Sequence, residues 1–407
     1  MSPNADLTSD PFAATAPGAT QGSGSFLPHL HQDVLFVTDS GMETTMVFKD
    51  KIELREFAAF EVTINTEKGR EHVKKYHRRH IELINNTNNN LVVPSNNKKE
   101  SKEEEENGND DNGGKKKKEE SKLVVGFVLE SVLWRANPDW LKKLGYYDVK
   151  EEESKILNDT CFKGIKILEE IQMEYPTIPM IKSGTVGPRS DGYIAERIMT
   201  VNEAKNSHLP QIQALKIAGA DIITGITINY INEGIGFALA AKQVGIPCVL
   251  SFTVETNGCL MNGGESIQEI IETIDKETYS YPAYYMINCA HLTHFCDILS
   301  KAAAAATTES DENDDNNKSC WWLHRIGGIR ANASKLSHAE LDNCETLDEG
   351  NPIEFGQEYQ QLMKILPNLN VVGGCCGTNH NHVSEIIKCC AKPFYEMRGK
   401  KKDSKSN

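Results

Sequence analysis

The chain has 407 residues, 39% hydrophobic and 25% charged, with 44 Lys and Arg against 58 Asp and Glu and a formal net charge of −14. That balance excludes a nucleic-acid binder or an anionic-membrane binder, both of which need a basic surface. No run of about 18 apolar residues is present, so no membrane span is expected.

From Met1 to Gln32 the chain is small, polar and Pro/Gly-bearing. It lacks the basic and apolar regions of a secretory signal and the Arg-rich pattern of an organellar one, so a disordered segment and a cytoplasmic protein are expected. Short apolar, β-branched runs then recur: Val34–Thr38, Leu123–Leu129, Pro179–Ser183, Asp221–Thr227, Pro247–Val254, Ala283–Cys289, Trp321–Ile329 and Leu369–Gly373. Each reads as a strand buried on both faces. Helical periodicity lies between them, as in Glu67–Ile84, Ala204–Ile217 and Glu233–Gln243. The last two run into Gly219 and Gly245, where a glycine ends the helix just before a strand.

Two stretches interrupt the pattern. Residues 86–122 include NNKKESKEEEEN and GNDDNGGKKKKEESK, and residues 306–319 include TTESDENDDNNK. Neither can bury enough apolar surface to offset its ordering entropy. With residues 1–32 and a basic tail at 396–407 also set aside, residues 33–395 are left as one α/β domain of about 310 folded residues. Strand then helix, eight times, predicts a (β/α)8 TIM barrel; a doubly wound sheet with an added domain uses the same alternation.

Eleven cysteines in a long chain without a secretory signal point to metal or reactive thiols before disulfides. Cys289 closes the sixth predicted strand and Cys375-Cys376 close the eighth, at the end where a barrel builds its active site. Adjacent cysteines share one metal only if the backbone leaves strand geometry. Gly373, Gly374 and Gly377 supply that freedom. Three thiolates with one open position is the arrangement of a catalytic Zn2+. Two alternatives stay open: a closed Cys3His site completed by His291 or His380, and a redox pair formed by Cys375 and Cys376. Cys389-Cys390, inside the apolar pattern of the last helix, reads as core.

The run Gly373-Gly374-Cys375-Cys376-Gly377-Thr378, with Asn288-Cys289 before it, resembles the signature of the homocysteine S-methyltransferase family. The likeness extends to Thr38-Asp39-Ser40-Gly41, Ser183-Gly184-Thr185-Val186-Gly187-Pro188, Gly219-Ala220-Asp221 and Ile329-Arg330-Ala331-Asn332. It implies a zinc-dependent barrel that methylates homocysteine to methionine, with Cys289, Cys375 and Cys376 as metal ligands. The implied donor is a small cation: S-methylmethionine, S-adenosylmethionine, betaine or a related sulfonium. Asp39, Gly41, Glu130, Thr227, Asn288 and Thr378 are the expected substrate-binding residues. Asp39 is placed toward the substrate ammonium, with a turn or cap carboxylate as its plain alternative. Thr378 stands at a helix start where a carboxylate would sit, with a simple N-cap as its alternative. Trp134 and Trp140 are candidates to face the cationic donor, with aromatic packing against the helices as the alternative for at least one of them. One departure matters: where many members carry a glutamate toward the amino acid, this chain has Ile226. Recognition must then differ, or use another carboxylate such as Glu130, Glu255 or Asp39.

Overall fold

The computed structural model describes residues 34–90, 92–94, 120–122, 124–193, 195, 197–308 and 320–405. Eight strands make one sheet: β1 (Phe36–Val37), β2 (Gly126–Glu130), β3 (Met180–Val186), β4 (Ile222–Ile228), β5 (Cys248–Phe252), β6 (Tyr284–Asn288), β7 (Ile326–Ala331) and β8 (Val371–Gly374). They pair in parallel in chain order, and β8 pairs back onto β1. A long helix follows each strand: α1 (Glu67–Asn90), α2 (Lys150–Glu174), α3 (Val201–Ile217), α4 (Ile231–Val244), α5 (Ile267–Thr278), α6 (Cys296–Thr308), α7 (Pro352–Ile365) and α8 (His380–Lys405). The fold is the (β/α)8 barrel that the alternation predicts. Closure of the sheet excludes the doubly wound alternative.

The two-residue period of a strand divides its apolar residues between the barrel interior and the helices. Phe36, Val128, Ile181, Ile222, Val249, Met286 and Val371 meet inside as a plug, one from every strand except β7. Leu35, Val37, Phe127 and Leu129 belong instead to the large outer core shared with the helices. With its interior filled, the barrel leaves chemistry only at its rim. Capping boxes at Thr200/Glu203 and Ser266/Glu269 start α3 and α5. Among the described residues, no helix is long and apolar enough to cross a membrane.

Several boundaries differ from the sequence reading. Helix α1 continues through Asn90 because Asn88 is anchored: it donates to the Val125 carbonyl at 2.9 Å and accepts from the Val125 N–H at 2.7 Å. Beyond it, Val92–Pro94 pairs antiparallel with Glu120–Lys122. Helix α8 likewise runs on to Lys405. The remainder of the 86–122 and 306–319 insertions, and residues 1–32, lie outside the described residues. Trp321–Arg325 is a 3-10 turn and not the start of β7. Arg325 is held there by Asp275 at 2.7 and 2.9 Å and by the Pro282 carbonyl at 2.7 Å.

Candidate metal centre and active site

Register alone brings the three cysteines together. Asn288 on β6 and Gly373 on β8 both stand level with Arg330 on β7. Cys289 and Cys375, the residues just past their strands, therefore emerge at nearly one height on either side of β7. The Sγ atoms of Cys289, Cys375 and Cys376 all lie within 4.8 Å of one another. Cys289 and Cys376 are 3.9 Å apart, sulfur to sulfur. Ligands about 2.3 Å from a tetrahedral zinc stand about 3.8 Å apart, so this donor set suits Zn2+. Cys289 and Cys375 are joined as a disulfide, with 5.5 Å between their Cα atoms. Only thiolates ligate, so that bond and a three-thiolate metal site are alternative states of the same residues.

The β8 turn is stapled to β1. The Thr378 hydroxyl donates to the Cys375 carbonyl at 2.6 Å and accepts from the Gly41 N–H at 3.2 Å. A Cβ on Gly41 would come within 2.6 Å of the Cys375 carbonyl oxygen, so only glycine lets β1 approach this closely. Gly377 takes φ +78°, which carries the chain from Cys376 into the turn before α8. Thr378 is thus a staple and not the N-cap of α8. Asn379 does the capping, accepting from the Asn381 N–H at 2.9 Å.

Asn288 is fully buried and organises the centre. Its Oδ1 accepts from the Thr227 N–H at 3.0 Å and the Ser251 hydroxyl at 2.6 Å. Its Nδ2 donates to the Thr227 hydroxyl at 2.9 Å and faces Cys375 Sγ at 4.0 Å. The Thr227 hydroxyl faces Cys289 Sγ, also at 4.0 Å. Thr227 and Cys289 both hold left-handed backbone, φ +59° and +52°. Such a conformation is an outlier for a β-branched residue and is kept only where surroundings enforce it. At Cys289 the enforcement is visible: its carbonyl takes His338 Nε2 at 2.7 Å and Asn332 Nδ2 at 2.9 Å. Glu255 holds the other side of the His338 ring, 2.9 Å from Nδ1.

Beside the cysteines lies a buried charge cluster. Arg330 donates to Asp39 at 2.6 Å, to Glu130, and to the Gly374 carbonyl at 3.1 Å. Burial raises the pKa of both carboxyls, and Arg330 opposes it. Burial would lower the guanidinium, but Glu130 and Asp39 outweigh it and hold Arg330 charged. Glu43 is a third carboxylate of the cluster, likewise raised by burial, and accepts from Trp134 Nε1 at 3.1 Å. Burial, reinforced by Glu43, pushes the Cys376 thiol up to about 11, and a hydrogen bond from Tyr193 opposes it.

The structure groups Cys289, Cys375, Cys376, Asn288 and Thr227, with Gly41 and Thr378 bracing the β8 turn. Asp39 and Glu130, both expected to bind substrate, are engaged by Arg330, so the Asp39 carboxylate is not spent on a turn or cap. Trp134 and Trp140 already have a cation, since the Arg135 guanidinium lies 4.2 and 4.1 Å from their ring centroids. Among the described residues, the metal-capable group contains no histidine. His291 Nδ1 instead accepts from the Thr293 N–H at 3.1 Å. The bonded sulfurs are Cys289 and Cys375, not the adjacent pair. Cys390 is buried in α8, as expected for core. Glu43, Tyr193, Ser251 and His338 were missed as site residues. Only Glu43, four residues past Asp39, carried a local signal.

The family profile described as homocysteine S-methyltransferase matches residues 128–390. No curated protein sequence matches the chain. Among solved structures, the oxidised form of the homocysteine methyltransferase MmuM from Escherichia coli has 15% identity and a TM-score of 0.56, over 88% of this chain and 96% of that one. Its metallated form gives 15% and 0.55, over 87% and 95%. At such identity the likeness establishes a shared fold.

Proposed function

The chain belongs to the homocysteine S-methyltransferase family, and we propose that it moves a methyl group from a small cationic donor to the thiol of homocysteine, giving methionine, at a Zn2+ held by Cys289, Cys375 and Cys376. Methyltransferase chemistry on homocysteine comes with the family; the metal and the donor class are the proposal. The observation that carries it is the convergence of three sulfurs within 4.8 Å at the rim of the barrel. When bound, zinc with three thiolates has an open position and lowers the pKa of a thiol placed there.

The chain's own residues supply alignment. Asn288 and Thr227 orient the sulfurs of Cys375 and Cys289, while Gly41 and Thr378 fix the β8 turn against β1. The apolar plug closes the barrel below, so substrates enter from one side only. In the reaction an S–CH3 bond forms at the acceptor sulfur as the donor's C–S or C–N bond breaks. The thiol proton goes to solvent and the donor departs neutral. Holding sulfur, methyl and leaving group in line is the protein's main contribution to rate. S-methylmethionine, S-adenosylmethionine, betaine and related sulfoniums meet the charge requirement. A centre of three reduced thiols suits a reducing compartment, which supports a cytoplasmic location.

The test uses full-length protein, reduced and loaded with Zn2+. Metal content read by mass spectrometry should approach one zinc per chain. A donor screen with homocysteine should then yield methionine from at least one cationic donor. Stoichiometric zinc with no methylation of any small thiol would remove the reading.

A further inference from the structure

Between the loops that follow β6 and β7 and the first turns of α7 lies a cleft of about 300 Å3, within the size range of small-molecule sites. It adjoins the metal centre without including it. None of the three sulfurs lines it, and Ala333, in its wall, donates its N–H to the Cys376 carbonyl at 3.1 Å.

Two polar groups in this cleft approach each other and do not meet. The His291 side chain is 3% exposed, and its Nε2 stands 3.7 Å from Glu358 Oε2. That gap is beyond hydrogen-bond reach. Glu358 Oε2 is buried and has no hydrogen-bond partner among the described residues. His291 Nδ1 accepts from the Thr293 N–H at 3.1 Å, so Nε2 carries a hydrogen whether the ring is neutral or charged. An unused donor therefore lies beside an unused carboxylate oxygen, and each costs free energy while unpaired. Burial raises the Glu358 pKa against the pull of Lys335, as for a carboxylate short of a cation.

At the mouth the arrangement repeats. Lys335 Nζ and Glu354 Oε2 are 3.8 Å apart, and both side chains are more than half exposed. Asp348 offers nothing further, since it already accepts from the Ser334 hydroxyl at 2.6 Å and the Gly350 N–H at 3.1 Å. Phe355 and Ala333, both buried, give the cleft an apolar wall.

These groups discriminate among guests. One metal ion cannot serve them, because among the described residues only the three cysteines bring three such ligands within 4.8 Å of one another. A plain anion would suit His291 and Lys335 but would face the carboxylates of Asp348, Glu354 and Glu358. A plain amine would suit Glu358 and strand the His291 N–H. A molecule with an ammonium and a carboxylate on one carbon satisfies both at once. We propose that this cleft is a second small-molecule site, separate from the metal centre, which binds a free α-amino acid as its zwitterion, the ammonium on Glu358 and the carboxylate on His291 and Lys335.

The experiment titrates full-length, reduced, zinc-loaded protein with each common L-α-amino acid by calorimetry, with 2-sulfanylethanol present throughout to occupy the metal. At least one amino acid should bind with a Kd below about 1 mM. Its decarboxylated amine and its deaminated acid should each bind at least about tenfold more weakly. Glu358→Gln should weaken binding about 10- to 100-fold. His291→Asn keeps an acceptor for the Thr293 N–H and loses the Nε2 donor, and should cost about tenfold. Both variants should retain stoichiometric zinc. Should either fold poorly, Lys335→Met at the exposed mouth takes its place, with a loss of more than about threefold expected. Absence of binding by every amino acid leaves the cleft to water and overturns the proposal. So does binding that any of these variants leaves within about threefold of wild type, or that the amine or the acid matches. None of these readouts involves methyl transfer, so they stand or fall apart from it.

Discussion

Replacing Asn288 by alanine separates a positioning role at the metal centre from mere packing. The substitution removes an acceptor shared by the Thr227 N–H and the Ser251 hydroxyl, and a donor to the Thr227 hydroxyl. The two hydroxyls can turn elsewhere, but the Thr227 N–H cannot, and one stranded buried donor costs about 1–3 kcal/mol. With the small cavity left behind, metal-free stability should fall by about 3 kcal/mol. The sulfurs of Cys375 and Cys289 also lose their neighbours, directly in one case and through Thr227 in the other. Loss of such outer partners typically weakens metal binding about 10- to 100-fold. Urea unfolding of the metal-free protein reads the first effect, and chelator competition for Zn2+ reads the second. Ser251→Ala, which removes one partner of Asn288 and no sulfur neighbour, should lower stability by about 1 kcal/mol with little change in zinc affinity. If Asn288→Ala lowers stability yet binds zinc within about threefold of wild type, the network is packing alone and the positioning argument is wrong.

Cys289→Ala, Cys375→Ala and Cys376→Ala should each lose both zinc and methyl transfer, whereas Cys389→Ala should retain the metal; retention of stoichiometric zinc by any of the first three would refute the ligand set. A pH prediction follows from α1, where burial lowers His77 to about 3 and His80 to about 4. Below about pH 6.5 the unfolded chain binds protons that the native state refuses, so each histidine removes stability as pH falls, at about 1.4 kcal/mol per unit, until its folded value is reached. His77→Leu should therefore gain about 2 kcal/mol relative to wild type between pH 7.5 and pH 5.0 in urea unfolding, and a pH-independent difference would contradict it. Deleting residues 95–119 and joining Pro94 to Glu120 through Asn-Gly should preserve zinc content and KM, because the junction continues an existing antiparallel pair. Loss of metal or activity would assign the removed segment a role.

The elements most readable in the sequence were those set by short-range pattern. Eight β-branched runs became eight strands, and the cysteines at two strand ends became neighbours because parallel register carries strand ends to a common height. Contacts across the barrel were not readable in the same way. Arg330, Asp39 and Glu130 come from β7, the end of β1 and β2, and meet only once the sheet closes. The pairing of Thr227 with Asn288 joins β4 to β6, and Ser251 enters from the strand between. Composition also misled locally: the polar run at Asn86–Asn90 looked unable to order, yet Asn88 closes on both backbone groups of Val125. Trp134 and Trp140 looked available to a foreign cation, and Arg135, next to one of them in sequence, already stands between them.

The left-handed backbone at Thr227 and Cys289 sets stability and aim against each other. Each such position costs about 1–3 kcal/mol, which a glycine there would largely recover. A search for hardier variants would reach these two sites as readily as the other left-handed positions, and a glycine at either would discard a hydroxyl or a thiol along with the strain. Selection for heat resistance alone should erode this rim along with the other left-handed positions, such as Tyr279 and Ser280 after α5, whereas selection for turnover should keep the fold below the stability its core permits. Thermostabilising substitutions compatible with catalysis are better sought on the helical exterior.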